Sequence, residues 1–490
     1  MKSFLRSREG SCIAVLAVLA ALRVFLFSAA FPFFANVDEH RHVDGVLKYA
    51  RGYLPRPENS GYEPEMARYL GVFGSPEYHF REGAEDAREV PPPPWRRSSG
   101  AMLRSIEWGE KFLAKRKNLE SMQPPAYYVV AGLWLRLGRA LGIQGGSLLY
   151  WVRGLGTLLV FALVISSYLF LREIYPDDTF MRLGVPLLLS VFPTDVFFYV
   201  TRDALSPLVA GIGFFLALRI VTRPAAGFGA HALVAAVMGL AFLSKYTNVA
   251  LLGVCGLCTL IAVARRPGAR EIRGEGRRLL AMWALIAAPV GAWLIRNLFV
   301  FGDLTGTAYK IERMGWGRKP LSEYGDHPIF TLSGLHTFIG KLIPLFWRGE
   351  LVWHRAPLAW PTADGFYTAT TLVFVALAAL GLRRREAAGP ARLAEGMSLA
   401  TVLASVVLLA GLSLMYVFHE KSNPPAHLPY FVQGRLISGV LVPFLVLYAR
   451  GIEVATSRLP ARAAPAAAWA CLALVACVAV VSEVSLHRAV

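Results

Sequence analysis

The sequence predicts an all-α, polytopic membrane protein, and three observations predict it. Hydrophobic residues make up 55% of the 490-residue chain, and its mean hydropathy is +0.46, too apolar for an ordinary soluble protein. Runs of about 20 apolar residues recur along it, each long enough to cross a hydrocarbon core of about 30 Å as a helix. The alternating segments of about ten residues that build a membrane β-barrel are absent.

The pattern predicts about 11 spans, within a range of about 10 to 13. They fall at residues 11–34, 150–171, 182–200, 204–221, 229–244, 246–264, 279–301, 364–382, 397–418, 436–450 and 465–486. The stretch 229–264 barely holds two crossings and requires tilt or local thinning. Residues 1–34 form a cytoplasmic end and the first span, and 35–149 form a large outer loop with an acidic motif and amphipathic juxtamembrane helices. Spans two to seven occupy 150–301, a second outer loop 302–363, and the C-terminal spans 364–490. The apolar run within Met1 to Ala35 is long for a signal peptide and is interrupted by Arg23, so a retained anchor is expected.

Charge supports this threading. The net charge is +18, but the basic residues sit in short loops, which points to membrane topology rather than nucleic acid. Lys2, Arg6 and Arg8 make the first end cytoplasmic. Arg265, Arg266, Arg270, Arg273, Arg277 and Arg278 then fall on the same side, as do Arg383, Arg384, Arg385 and Arg392, and later Arg450, Arg458 and Arg462. Counting "QPPAYYVVAGLWLRLGRALGI" at 123–143 as a crossing would reverse every later loop. Pro124 and Pro125 suit a helix start, and Arg136 and Arg139 are costly in lipid, so a juxtamembrane or re-entrant helix is expected. The protein is expected in the cell (inner) membrane with its working face toward the periplasm or exterior. All five cysteines lie in apolar segments. Cys255 and Cys258 have the spacing of a redox or metal motif without polar neighbours, and packing is their expected role.

The first outer loop opens on "NVDEHRHVD", residues 36–44. Asn36 as N-cap and Glu39 three residues on read as a capping box. Val43, Val46, Leu47, Ala50 and Leu54 then form an apolar stripe, with Asp38, Arg41, His42, Gly45 and Tyr49 opposite, as expected for an amphipathic helix lying on the outer leaflet. Capping does not explain so many proton-transfer groups beside a membrane exit. Asp38 and Glu39 are the candidate catalytic pair, a carboxylate next to bases being suited to general-base work. His40 and His42, two residues apart on a helix, point in different directions and imply no closed metal site. A divalent cation, Mg or Mn, is compatible with Asp38 or Glu39 plus a substrate phosphate.

The other outer ends contribute cations: Arg153, Arg202, Arg296, Arg348, His354, Arg355, His419, Lys421 and Arg435. Singly, each reads equally as an interfacial anchor. Together with Lys245, which interrupts two apolar runs and needs a partner or a wet cavity, they describe a cavity suited to an anionic leaving group. Trp347, Trp353 and Trp360 are expected in the interfacial belt. The run Pro91 to Pro94 is expected to make a stiff extended turn.

Six segments, in order, resemble those of the GT-C class of membrane glycosyltransferases, of the protein O-mannosyltransferase and aminoarabinose-transferase type. They are "FANVDEHRHVDGVLKYARGYLP", "QPPAYYVVAGLWLRLG", "WVRGLGTLLV", "LSKYTN", "IRNLFVFGDLTG" and "YFVQGRLISGVLVP". Gln123 stands where that class commonly has His, and residues 56–120 match no known acceptor-specific insert. The resemblance implies a GT-C-like fold, a polyprenyl-phosphate-sugar donor and inverting transfer on the outer side. The acceptor would be a protein, a lipid or a polysaccharide. It implies Asp38 as base and Glu39 as a positioning or cation-binding group, with Lys245, Arg153, Arg296 and Arg435 on the donor. His42, Arg202, His419 and Lys421 complete the expected substrate-binding set. Two other readings share a basic outer cavity: a ligase of whole lipid-linked glycans, and a transporter of such glycans or other solutes.

Overall fold

In lipid a backbone amide finds a partner only within its own segment or a closed sheet, so apolar runs become helices. The computed structural model describes residues 7–35, 38–74, 98–120, 122–223, 226–265, 268–353, 356–384, 389–420 and 424–488. In chain order the helices are α1 (Arg8–Ala30), α2 (Glu39–Ala50), α3 (Pro64–Phe73), α4 (Ser99–Ala114), α5 (Ala126–Ala140) and α6 (Gly145–Ile174). Next come α7 (Thr179–Val191), α8 (Ser206–Thr222), α9 (Phe228–Ser244), α10 (Val249–Ala264), α11 (Ala269–Phe301) and α12 (Thr307–Met314). The last are α13 (Leu332–Arg348), α14 (Pro361–Arg384), α15 (Pro390–Met415), α16 (Leu441–Thr456) and α17 (Ala464–Arg488). Strands among the described residues are two-residue pieces. β1 (Gly317–Arg318) pairs antiparallel with β4 (Tyr416–Val417), and β2 (Val352–Trp353) with β3 (Ala356–Pro357).

Nine helices among the described residues are long and apolar enough to cross a membrane: α1, α6, α11, α14, α15, α17, and α8, α10 and α16 each with a preceding 3-10 turn. The shorter apolar helices α7 and α9 fall where the third and fifth spans are expected. The outer helices turn large apolar side chains outward, among them Leu19 and Phe25 of α1, Leu280 and Phe299 of α11, and Leu372 of α14. Helices α8 and α16 are instead buried on most of their surface. Packing in this interior rests on close backbone approach, as expected in lipid. A Cβ on Gly451 of α16 would collide with the Phe374 carbonyl of α14.

The two ends of the bundle differ in chemistry. At one, Glu9 of α1 accepts from Arg182 of α7 at 2.6 Å, Glu173 of α6 pairs with Arg223 at 2.5 Å, and Arg450 reaches Glu395 at 3.4 Å. Arg270, Arg273, Arg277, Arg278, Arg392, Arg458 and Arg462 belong to the same connections. At the other end the segments 31–35, 192–205, 245–248, 349–353 and 434–440 converge. Helix α7 has 13 residues, about 20 Å at 1.5 Å per residue. It is therefore shorter than a core about 30 Å thick, and buried chain from Phe192 to Thr201, with one 3-10 turn at Asp195–Phe197, follows it. The segments that meet there are sunk within the bundle.

Several expectations change. Helix α2 is enclosed by protein rather than showing a polar face to solvent: His40, His42, Asp44 and Lys48 on its polar side are as buried as Val43, Val46 and Leu47. The polar side is covered because Asp44 pairs with Lys48 at 2.8 Å and accepts from the Glu63 amide and Asn118 at 2.7 Å. Asp38, not Asn36, holds the N-cap position, and it makes no capping bond. Trp347 is not interfacial: it is buried, stacked on Tyr367 at 4.6 Å, and donates to Thr371 Oγ1 at 3.0 Å. Helix α5 starts directly after Pro125 and packs on α2 and α6. There Trp134 and Trp151 stack at 4.2 Å, each donating to the other's carbonyl, and Arg139 binds Glu65 at 2.7 Å. Cys255 and Cys258 are free thiols on α10, and Cys255 belongs to the core. Asn36, Pro91 to Pro94, His354, Arg355 and Lys421 lie outside the described residues.

Candidate functional site

Glu39 and Arg153 meet first, and they meet as a closed pair. Arg153 donates from Nε to Glu39 Oε1 at 2.8 Å and from Nη2 to Oε2 at 2.7 Å. Its remaining N–H groups go to the carbonyls of Ser28 (2.8 Å), Phe31 (2.6 Å) and Pro32 (2.9 Å). All five guanidinium donors are thus used. Glu39 also accepts from the amides of Phe34 at 2.8 Å and Val200 at 3.0 Å. Both side chains are 1% exposed. The geometry gives this pair the task of tying the end of α1 to α2, α6 and the 192–201 segment. The expected donor contact of Arg153 and the expected catalytic contact of Glu39 find no free hydrogen-bonding atom on either side chain.

Asp38, one residue earlier, is less enclosed. Its Oδ1 accepts from Arg41 at 3.0 Å and its Oδ2 from Arg435 Nη2 at 2.7 Å, and the side chain keeps 14% exposure. Burial by itself would raise the carboxyl, but the Arg435 and Arg41 guanidinium groups hold it well below the usual range. Arg435 stands just before α16 and links three acids. Its Nε donates to Glu350 at 2.8 Å, and its Nη1 lies 3.8 Å from Asp203. Lys245, at the break between α9 and α10, donates to Asp203 and to the Arg435 carbonyl. Glu350 is delivered by Gly349, whose φ of +82° and close approach to the Asp195 carboxyl leave no room for a side chain. The Glu350 amide then donates to Asp195 Oδ2 at 2.8 Å.

A second corner adjoins this one. Arg202 lies 3.4 Å from Glu120 and 3.8 Å from Asp203. Glu120 accepts from Lys310 of α12 at 2.7 Å, and these cations draw its carboxyl down to about 2 against the opposing effect of burial. His42 holds Tyr128 Oη at 2.8 Å, and burial pushes its ring down to about 4, so it is neutral at pH 7. His40 turns away to stack on Tyr62. Among the described residues no group of three or more His, Cys, Asp or Glu side chains is arranged to hold a metal ion.

Five of the expected residues therefore come together: Asp38, His42, Arg202, Lys245 and Arg435. Arg296 stands elsewhere, bonded to the Pro55 carbonyl and to Asn297, with Trp293 under its guanidinium. His419 is exposed on the loop after β4. Arg348 grips Asp364 through two bonds and ties the end of α13 to the start of α14 rather than joining the cluster. Glu350, Asp195, Asp203, Glu120 and Lys310 were not expected. Asp195 and Asp203 carried a legible signal, since each is an acid next to or inside an apolar run. The buried atoms of the cluster are not all satisfied. Asp195 Oδ1, Tyr199 Oη, Gln433 Oε1, Glu120 Oε2 and two nitrogens of Arg202 have no hydrogen-bond partner among the described residues. Such buried atoms call for a partner, whether water, an ion or a polar ligand. No protein-family model matches the chain, and no curated protein matches it either.

Proposed function

We propose that the chain is a membrane glycosyltransferase of the GT-C type that moves a sugar from a polyprenyl-phosphate donor to an acceptor, with inversion. The observation that supports this most is the position of Asp38, a carboxylate with 14% of its side chain exposed, in a cluster that also holds Arg435, Lys245, Arg202 and Lys310. A lipid-linked donor needs a site at hydrocarbon depth for its chain and fixed cations for its phosphate. Both needs fit a cluster reached by helices as short as α7. In the step, an acceptor hydroxyl or amine forms a bond to the anomeric carbon as the bond to the phosphate oxygen breaks. The proton passes to Asp38, and the electron pair leaves on the phosphate, where fixed cations stabilise it. Glu39 and Arg153 act only by positioning. With the arginine-rich end cytoplasmic, transfer takes place on the periplasmic or exterior side.

The test is transfer in vitro from a panel of polyprenyl-phosphate sugars by wild type and Asp38→Asn. Loss of a general base lowers turnover by about 10²- to 10⁴-fold, with donor binding retained. Wild-type turnover in Asp38→Asn would remove Asp38 from the base role. Transfer only of preassembled oligosaccharide would identify a glycan ligase, and movement of donor across vesicles without transfer would identify a transporter.

A further inference from the structure

We propose that Glu120 is an internal counter-anion occupying a phosphate subsite formed by Arg202 and Lys310, and that a phosphate-bearing ligand binds by displacing it. The inference rests on reading the cluster as the site of a phosphate-linked donor, and it adds the device that keeps that site charged and closed between ligands.

Arg202 is the first observation. Its side chain is only 13% exposed, yet Nε and Nη1 are buried without a hydrogen-bond partner among the described residues. Its nearest carboxylates, at 3.4 and 3.8 Å, lie beyond the usual N–H···O range of about 2.7–3.2 Å. Leaving guanidinium donors unmade in a buried site is costly. Glu120 is the second observation. Its side chain is 4% exposed, and while Oε1 accepts from Lys310, Oε2 has no hydrogen bond among the described residues. One carboxylate is stretched between two cations and satisfies only one. A phosphate carries more acceptor oxygens in a tetrahedral arrangement, enough to take Arg202 in two bonds and Lys310 as a point charge.

The backbone favours movement of the Glu120 side chain alone. Asn118 is fixed to Asp44 at 2.7 Å and to the Arg41 carbonyl at 2.8 Å, and its Oδ1 receives the Glu120 amide at 2.9 Å. Lys310 comes from α12, which is flanked by Gly306 and Gly315 in left-handed conformation (φ +70° and +68°). Gly306 packs so closely on Met122 that a Cβ there would come within 2.6 Å of it. Helix α12 thus lies against Glu120 and Met122. Without Glu120, Lys310 would lose the carboxylate it donates to and Arg202 would keep only Asp203, at 3.8 Å, and a poorly paired buried charge is destabilising.

Binding to the full chain in lipid nanodiscs tests this, read as the ligand-induced shift in thermal unfolding. The probes are a sugar-free polyprenyl phosphate and inorganic phosphate alone. Glu120→Gln removes the competing charge and is expected to bind polyprenyl phosphate about tenfold tighter, the equivalent of one freed charge-assisted bond. Lys310→Met is expected to bind about tenfold weaker, which tests the subsite even should Glu120→Gln accumulate poorly. The same ordering with inorganic phosphate identifies the phosphate group itself as the recognised unit. Ordering confined to the lipid identifies the headgroup of a membrane ligand. Unchanged or weaker binding by Glu120→Gln overturns the inference, as does wild-type binding by Lys310→Met. Because no sugar is present, sugar transfer can fail its own test while this ordering stands.

Discussion

Replacing Arg153 by Met is expected to destabilise the fold by about 3–5 kcal/mol, the range for removing one partner of a buried ion pair. The magnitude follows from what the substitution strands. Glu39 keeps only the amides of Phe34 and Val200 for a carboxylate 1% exposed. The carbonyls of Ser28, Phe31 and Pro32, where α1 ends, lose their donor together, at about 1 kcal/mol or more each if left unsatisfied. Contact with the Phe33 ring, 4.2 Å from the guanidinium, is lost as well. Arg153→Lys is expected to behave more like Met than like wild type, because an ammonium has three donors and no planar fork. The assay is thermal unfolding of purified protein in one lipid composition, paired with polyprenyl-phosphate binding well below the transition. Wild-type stability in Arg153→Met together with a tenfold loss of binding would refute the structural assignment and return Arg153 to the donor contacts.

Gly349→Ala combines a positive φ with a Cβ that would collide with the Asp195 carboxyl. It is expected to lower the unfolding temperature and to release Glu350 from Arg435, and normal expression, stability and ligand binding would argue against the described path. His42 is neutral because burial holds its ring at about 4, below an unfolded value of about 6.5. Its contribution is complete above pH 6.5 and is lost as pH falls toward 4, amounting to about 3 kcal/mol at most. His42→Gln should flatten unfolding temperature against pH over that interval, and an unchanged slope would count against it.

Hydropathy made the helices legible because lipid imposes one rule on every span. It also located the ends where cations gather, since Arg202, Lys245 and Arg435 are conspicuous against apolar neighbours. It said much less about partners. Arg153 and Arg435 look alike in sequence, each opening a span. One is consumed by three carbonyls and Glu39, while the other bridges Asp38 and Glu350. Only tertiary placement separates them. Glu120 and Lys310 were illegible for the opposite reason: both sit in polar outer segments where a charge is unremarkable until the chain folds back over it. The same folding back hid α2, whose two-sided pattern reads as a surface helix but whose polar side is covered by Asn118 and the loop before α3.

The charge state of Asp38 links the two halves of the cluster. A carboxyl held well below its usual range by Arg435 and Arg41 is a weak base, whereas efficient general bases lie near the working pH. An incoming phosphate that engages Arg435 would take up part of the field now acting on Asp38, so its carboxyl should rise when donor is bound. In pH–rate profiles kcat/KM reports the free enzyme and kcat the complex. The acid limb of kcat is therefore expected at higher pH than that of kcat/KM. Arg435→Lys, which cannot bridge Asp38 and Glu350 in the same planar way, should bring the two limbs closer together. Coincident limbs in the wild type would mean that donor and base do not share Arg435. Asp38 would then need another source of basicity than the release of its own counter-ion.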